Sequence, residues 1–135
     1  MTRHELRDRI FKMLFRVEFH DAADLPDQFE LFREDEENLD WEESDREYIH
    51  AKYEAILGRI PELDRLINDN TTGWDTTRIG KVELAVLRLA AYEMKFDEDI
   101  PEGVAIDEAV ELAKRYGQEN SGSFVNAILS KIQKA

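Results

Sequence analysis

The chain has 135 residues, of which 42% are hydrophobic, and it contains no cysteine. This composition supports one domain with a buried core, and it excludes a disulfide framework and a thiolate metal site. The first residues carry no apolar run of the signal-peptide kind, and no segment approaches the roughly 20 apolar residues of a membrane span. We therefore expect a cytoplasmic protein that does not associate with a membrane.

The net charge of −13 is distributed unevenly along the chain. Residues 21–55 hold fourteen acidic and three basic residues, whereas residues 1–20 hold five basic and three acidic ones. Screening limits the field of the acidic segment to about 8 Å at physiological salt. The basic N-terminal segment can therefore bind an anion locally, although the chain as a whole is acidic.

Helical periodicity dominates the first half of the chain. Residues 3–20 place apolar side chains on one stripe, basic side chains on an adjacent face, and Phe15 and Phe19 beside them. Residues 25–39 have the pattern of a second helix, and the sequence from Ser44 to Glu47 has the form of a capping box that begins a third. No alternating pattern typical of a strand is present.

The second half continues the helical pattern. A turn is predicted at Gly73, and residues 81–96 are apolar on nearly every side, which is typical of a central helix. An amphipathic helix over residues 104–116 is predicted to end at Gly117 in a left-handed conformation. The core stripe of the last helix is predicted to comprise Val125, Ile128, Leu129 and Ile132. These patterns predict an all-α bundle of about seven helices.

Residues that could form a catalytic or metal site are not arranged for either purpose in the sequence. His4, His20 and His50 stand far apart, with no second ligand at metal-binding spacing. The sequence has no glycine-rich phosphate loop, and its many neighbouring carboxylates fit a solvated helix face better than an acid–base pair. We therefore expect no enzyme activity, no metal and no cofactor.

The segment from Trp74 to Ile132 contains three ordered motifs. They read LRLAAYE at residues 87–93, PEGVAIDEAVELAK at residues 101–114 and FVNAIL at residues 124–129. In this order and spacing they resemble the NusB family of bacterial transcription antitermination factors. Asp107 stands where the family usually has asparagine, and Ala127 where it usually has glycine.

The resemblance implies a single compact NusB-like domain, 1–135, made of two packed helical halves, 1–70 and 71–135. It also implies binding of the single-stranded boxA RNA element together with NusE, a protein of the small ribosomal subunit. The assembly would join the RNA polymerase elongation complex and favour elongation through terminators in ribosomal RNA operons. Whether the chain is a monomer or a homodimer stays open at this stage.

The candidate site residues fall into two groups. Phosphate contacts are expected from the cations of the first helix, and further RNA contacts from the start of the last helix; these residues are Arg3, Arg7, Lys12, Arg16, Asn120, Ser121 and Phe124. The resemblance places Phe15 and Glu83 at the surface for the protein partner. The alternatives are a solvated basic face, a core position for Phe15, helix caps at Asn120 and Ser121, a peripheral core position for Phe124 and an exposed charge at Glu83.

Three residues of the second half are predicted to have structural roles. Trp74 and Tyr92 are expected in the core, and Arg88, on the apolar helix, is expected to pair with an acid across the bundle. A second hypothesis for function is a helical accessory protein that binds only a protein partner, because acidic Glu5 and Asp8 dilute the basic cluster. A third, an RNA methyltransferase fused to a NusB-like domain, is disfavoured because the 135 residues include no cofactor-binding domain.

Overall fold

The structure is a computed structural model that describes residues 1–20, 29, 31, 32, 34 and 41–135. Every regular element within these residues is helical, which confirms the all-α prediction. Six helices have complete bounds: α1 (Arg3–Val17), α2 (Glu43–Leu57), α3 (Ile60–Asp69), α4 (Lys81–Phe96), α5 (Glu102–Tyr116) and α6 (Ser121–Lys134). None of these described helices is long and apolar enough to cross a membrane.

The predicted helix over residues 25–39 falls largely outside the described residues, including its predicted core positions Leu25 and Leu39. Phe29 and Phe32, which are described, are helical and buried. The count of six bounded helices among the described residues is therefore close to the predicted number of about seven.

Two compact units make up the chain, Met1–Leu57 and Gly58–Ala135. In the first unit α1 packs against α2. Its buried apolar side chains are Ile10, Phe11, Met13, Leu14, Ile49, Tyr53 and Ile56, together with Phe29 and Phe32. The assignment of a single domain with halves 1–70 and 71–135 stays a prediction.

The start of α1 is closed by a capping box. The Glu5 backbone amide donates to Thr2 Oγ1 at 3.1 Å, and the Thr2 amide donates to Glu5 Oε1 at 3.1 Å. These hydrogen bonds lower the pKa of Glu5. The capping box predicted from Ser44 is wrong, because α2 begins at Glu43 and Ser44 therefore lies inside its first turn. Both sequences have the required spacing, and only the position of the helix start distinguishes them.

Helix α4 is the central element of the second unit, as its apolar sequence predicts. It contacts α3, α5 and α6, and its side chains are buried almost continuously from Leu84 to Met94. Arg88 lies among them and is 6% exposed. Its Nε and Nη2 atoms donate to the two carboxylate oxygens of Asp64 on α3, both at 2.8 Å. The predicted pairing of Arg88 with an acid is confirmed.

Two glycines shape the loops of the second unit in different ways. Gly73 has φ of 79°, which confirms the predicted turn between α3 and α4. Gly117 has φ of −96° and ψ of −156°, so the predicted left-handed conformation is wrong. A Cβ atom at Gly117 would lie 2.6 Å from the carbonyl oxygen of Ala113 and would also collide with Ser121. Glycine is needed there for close approach and not for its conformational freedom.

Candidate nucleic-acid interface

The predicted phosphate-binding cations of α1 differ in exposure. Arg3 is exposed near the start of the helix, the Lys12 side chain is 35% exposed, and Arg16 is half-buried. Arg7, by contrast, is only 4% exposed. A phosphate can therefore approach Arg3 and Lys12 directly, whereas contact with Arg7 requires its guanidinium to leave a buried position. A role in RNA binding stays a prediction for all four residues.

Asp8 organises part of this basic face from within the unit. It is 3% exposed, and its Oδ2 atom accepts from Arg9 Nη1 at 2.8 Å and lies 3.2 Å from Lys12 Nζ. Two of the five cations of the N-terminal segment thus share one buried carboxylate, which offsets one of their two positive charges. The electrostatic attraction of α1 for RNA is weaker than its number of arginines and lysines indicates.

Two phenylalanines of α1, Phe11 and Phe15, form a ladder with Phe19, which follows the end of the helix. The Phe15 ring lies between those of Phe11 and Phe19, with centroid distances of 6.2 Å and 5.1 Å. Phe11 is buried, Phe15 is half-buried and Phe19 is 55% exposed. The ladder runs from the core to the surface, so Phe15 can fill space inside the unit and still offer part of its ring to a partner. This arrangement is compatible with both of its predicted roles.

Four of the predicted site residues are brought together at the start of α6 in the second unit. Glu83, Asn120, Ser121 and Phe124 line one cavity of about 280 Å³, although 37 sequence positions separate the first two. Glu83 comes from the first turn of α4, and the others come from the loop and first turn of α6. The fold therefore joins a residue expected at the protein-partner surface to three expected to touch RNA.

Ser121 fixes this arrangement by two hydrogen bonds. Its hydroxyl donates to Glu83 Oε1 at 2.5 Å and accepts from the Gln118 backbone amide at 2.8 Å. Ser121 is 4% exposed, so its side chain serves the structure of the loop. Asn120 is the N-cap residue of α6, yet its exposed side chain forms no capping hydrogen bond. The amide of Asn120 is therefore better placed for an external contact than the hydroxyl of Ser121.

Trp74 lines the same cavity, and the prediction that it belongs to the core is wrong. It is 50% exposed, and its ring meets that of Phe124 edge to face, with centroids 5.7 Å apart and an interplanar angle of 77°. Phe124 itself is half-buried beside the fully buried stripe of α6. Sequence reasoning missed Trp74 as a site residue, although its position directly after the Gly73 turn indicated a loop at the surface.

Within the described part of the chain, no three or more histidine, cysteine, aspartate or glutamate side chains are grouped so as to hold a metal ion. The basic face of α1 presents cations, and the cavity at the start of α6 presents aromatic rings and the carboxylate of Glu83. Such groups bind nucleic acid through phosphate contacts and base stacking.

Comparison with known proteins identifies the family. The model of the NusB family matches residues 4–134. The transcription antitermination protein NusB of Agathobacter rectalis is 53% identical over 131 residues, which cover 97% of this chain and 98% of the relative. The chain belongs to the NusB family. This membership confirms the resemblance seen in the three motifs of the second half.

Solved structures of NusB proteins have the same fold. T. maritima NusB is 40% identical and superposes with a TM-score of 0.85, covering 99% of this chain and 92% of that structure. NusB from a complex of the antitermination factors NusB and NusE with double-stranded RNA is 30% identical, with a TM-score of 0.81 and coverage of 99% and 98%. The A. rectalis relative is named as a transcription antitermination protein, in agreement with the prediction that this NusB-family chain is not an enzyme.

Proposed function

We propose that this NusB-family chain is a cytoplasmic transcription antitermination factor that binds boxA-type single-stranded RNA jointly with NusE during ribosomal RNA transcription. The resulting assembly would join the RNA polymerase elongation complex. The observation that supports the proposal most strongly is the partly exposed ring of Phe124 at the start of α6, in a chain whose relatives include the NusB of a NusB–NusE–RNA complex.

RNA binding divides between the two units. In the first unit Arg3, Lys12 and Arg16 approach backbone phosphates, and each contact adds salt dependence without base preference. In the second unit Phe124 contacts an unpaired base, and Asn120, whose side chain forms no capping hydrogen bond, offers its amide to a base edge or phosphate. The cations therefore supply attraction and the aromatic side chain supplies the preference for single-stranded RNA.

The protein partner contacts Phe15 and Glu83 in this proposal. Phe15 offers the part of its ring that the first unit leaves uncovered, which suits an apolar partner surface. Glu83 has one carboxylate oxygen engaged by Ser121, and that hydrogen bond holds the carboxylate in a fixed orientation for a basic partner group. Because a carboxylate oxygen can accept two hydrogen bonds, Glu83 can receive a basic group of NusE and a donor group of the RNA together. Binding of NusE and of RNA is therefore expected to be mutually reinforcing.

A second candidate function is that of an accessory protein that binds a protein partner alone. The burial of Arg7 and the pairing of Arg9 and Lys12 with Asp8 favour it, because they reduce the positive charge that α1 offers to RNA. The two candidates make the same prediction for NusE binding and opposite predictions for RNA binding.

The test is a fluorescence-anisotropy titration of labelled boxA RNA with the full chain, with and without NusE. A scrambled RNA and a duplex form of boxA serve as controls, the latter because the related complex contains double-stranded RNA. Lys12→Ala and Phe124→Ala are titrated in parallel, and circular dichroism checks that each variant is folded.

The antitermination proposal predicts tighter binding of single-stranded boxA than of either control, further tightening by NusE, and weaker binding by both variants. Binding of NusE without any preference for boxA would contradict it and would favour the accessory role. Equal affinity for the duplex and the single strand would contradict the role given to Phe124.

A further inference from the structure

Trp74 is a large aromatic side chain at the surface of the second unit, and the contacts within that unit leave it half exposed. Half of its surface is exposed, although burying an aromatic side chain is among the larger hydrophobic gains available to a fold. It forms one wall of the cavity that Phe124, Ile79 and Glu83 also line. An exposed aromatic side chain beside a partly apolar cavity is typical of a binding site.

The loop that carries Trp74 is held firmly by hydrogen bonds. Asp75 Oδ1 accepts from the backbone amides of Thr77 at 2.9 Å and Arg78 at 3.2 Å. The Thr76 amide donates to Asn68 Oδ1, on α3, at 2.8 Å. The hydrogen bond from the Thr77 hydroxyl is the main reason why the pKa of Asp75 is lowered. The indole is thus positioned before any ligand arrives, which reduces the entropic cost of binding.

The charges around the cavity indicate which ligand fits. Glu83 lines it, so an anionic phosphate is repelled from the interior, whereas a group with N–H donors is attracted. Glu83 Oε2 accepts no hydrogen bond from the residues that the structure describes. Outside the cavity, the guanidinium of Arg78 lies 5.8 Å from the centre of the Trp74 ring and can attract a phosphate. A neutral base joined to an anionic backbone matches this distribution.

The cavity volume and the ring geometry limit the occupant further. The volume of about 280 Å³ lies at the lower end of the range for small-molecule sites, so it suits a single base better than a longer stretch of ligand. The two rings stand nearly perpendicular, at 77°. A base that lies parallel to the exposed face of Trp74 therefore meets Phe124 along its edge and not face to face.

We propose that Trp74 is the principal stacking surface for one unpaired RNA base, which Phe124 flanks and which donates a hydrogen bond from its exocyclic amino group to Glu83. Adenine, cytosine and guanine carry such a group and uracil does not. This inference rests on the proposed RNA-binding function and adds to it a residue and a base preference.

The experiment uses the fluorescence of Trp74 itself. The chain has two tryptophans, so Trp41→Phe leaves Trp74 as the only one. This variant is titrated with boxA RNA, oligo(C) and oligo(U), and quenching of tryptophan emission is recorded. Affinities are measured in parallel for Trp74→Leu, which keeps an apolar side chain without a π face. Phe96→Ala is the matched control, because Phe96 is also an exposed aromatic of the second unit.

We expect boxA RNA and oligo(C) to quench Trp74 emission and oligo(U) to quench it less. Trp74→Leu should weaken binding of boxA RNA by about 5- to 100-fold, as expected for the loss of one base–aromatic stack. The preference for oligo(C) over oligo(U) should be about 2- to 10-fold, as expected for one hydrogen bond, and should shrink in Glu83→Gln. Phe96→Ala should bind like the wild type.

Two outcomes overturn the inference while the proposed function stands. In the first outcome, boxA RNA binds and Phe124→Ala weakens that binding, but boxA RNA leaves Trp74 emission unchanged. In addition, the affinity of Trp74→Leu stays within about twofold of the wild-type value, a smaller change than the loss of a base–aromatic stack would cause. The second is that Trp74→Leu weakens binding of NusE and not of RNA, so that the cavity belongs to the protein partner. Failure of wild-type protein to bind any RNA, with or without NusE, would instead overturn the proposed function and this inference together.

Discussion

The basic face of α1 and the aromatic cavity at the start of α6 reach their binding properties in opposite ways. On α1 the relevant residues are neighbours in sequence, and the fold withdraws several of them by burying Arg7 and by placing Asp8 beside Lys12. At α6 the fold assembles Trp74, Glu83 and Phe124 from distant positions and leaves the rings partly exposed. A count of charged residues in the sequence therefore overestimates the attraction of α1 for RNA. The sequence motifs alone, in turn, do not show that Trp74, Glu83 and Phe124 line one cavity.

The largest expected effect comes from breaking the ion pair that joins α3 to α4 in the second unit. Arg88→Ala leaves Asp64 without its bidentate partner on α4 and should lower the free energy of unfolding by about 3 kcal/mol. Urea unfolding followed by circular dichroism measures it. Arg65→Ala, at an exposed arginine of α3, is the control and should change stability by no more than about 0.5 kcal/mol. Similar small losses in both variants would show that the Arg88–Asp64 pair does not stabilise the second unit.

A smaller change in the same unit tests whether the cavity needs the close approach at Gly117. Gly117→Ala should cost about 2 kcal/mol of unfolding free energy, because its Cβ would collide with Ser121 and with the Ala113 carbonyl. Displacement of Ser121 should also weaken RNA binding. Gly103→Ala is the matched control, since a Cβ there meets no atom within 4 Å and should be neutral or stabilising. Equal stability of the two variants would contradict the steric role of Gly117.

The basic face of α1 can be strengthened as well as weakened. Asp8→Asn removes the carboxylate that pairs with Arg9 and Lys12, so RNA affinity at low salt should rise about threefold while stability falls by about 1–2 kcal/mol. Asp107→Asn changes the net charge equally at an exposed position of the second unit. If both substitutions raise affinity to the same extent, the gain reflects total charge and the local role of Asp8 is wrong.

The smallest expected effect concerns a single exposed cation of α1. Arg3→Ala should reduce the slope of log affinity against log salt by about 0.7, the value for one phosphate contact with single-stranded RNA, and should leave stability unchanged. Lys134→Ala, at the exposed end of α6, provides the comparison. An unchanged slope for Arg3→Ala would remove Arg3 from the phosphate-binding set.

The pattern of apolar and charged residues within a single helix was sufficient to predict several features of the second unit. The apolar sequence of α4 predicted its central position, and a single arginine on such a helix had to be paired, as Arg88 is with Asp64. The motifs of the second half led to the correct family. Helical periodicity also placed the core stripe of α6 on Val125, Ile128, Leu129 and Ile132, all of which are buried.

Features that depend on tertiary contacts could not be read in the same way. Trp74 was expected in the core; the Gly73 turn before it indicates a surface loop, but only the packing of that loop beside α6 shows that Trp74 lines a cavity with Phe124. Gly117 was expected to be left-handed because it follows a helix, whereas its neighbours Ser121 and Ala113 set its role. Likewise, the sequence of α1 does not reveal that Arg7 is buried.

The central claim is that the cations of α1 bind phosphates and the aromatic cavity binds a base. The most direct test measures affinity for single-stranded boxA RNA at several salt concentrations for the wild type, Lys12→Ala and Phe124→Ala. We expect Lys12→Ala to flatten the slope of log affinity against log salt. Phe124→Ala should make the binding free energy less favourable by about 1–3 kcal/mol at every salt concentration and leave that slope unchanged. Equal changes in slope for both variants, or no change in either, would contradict it.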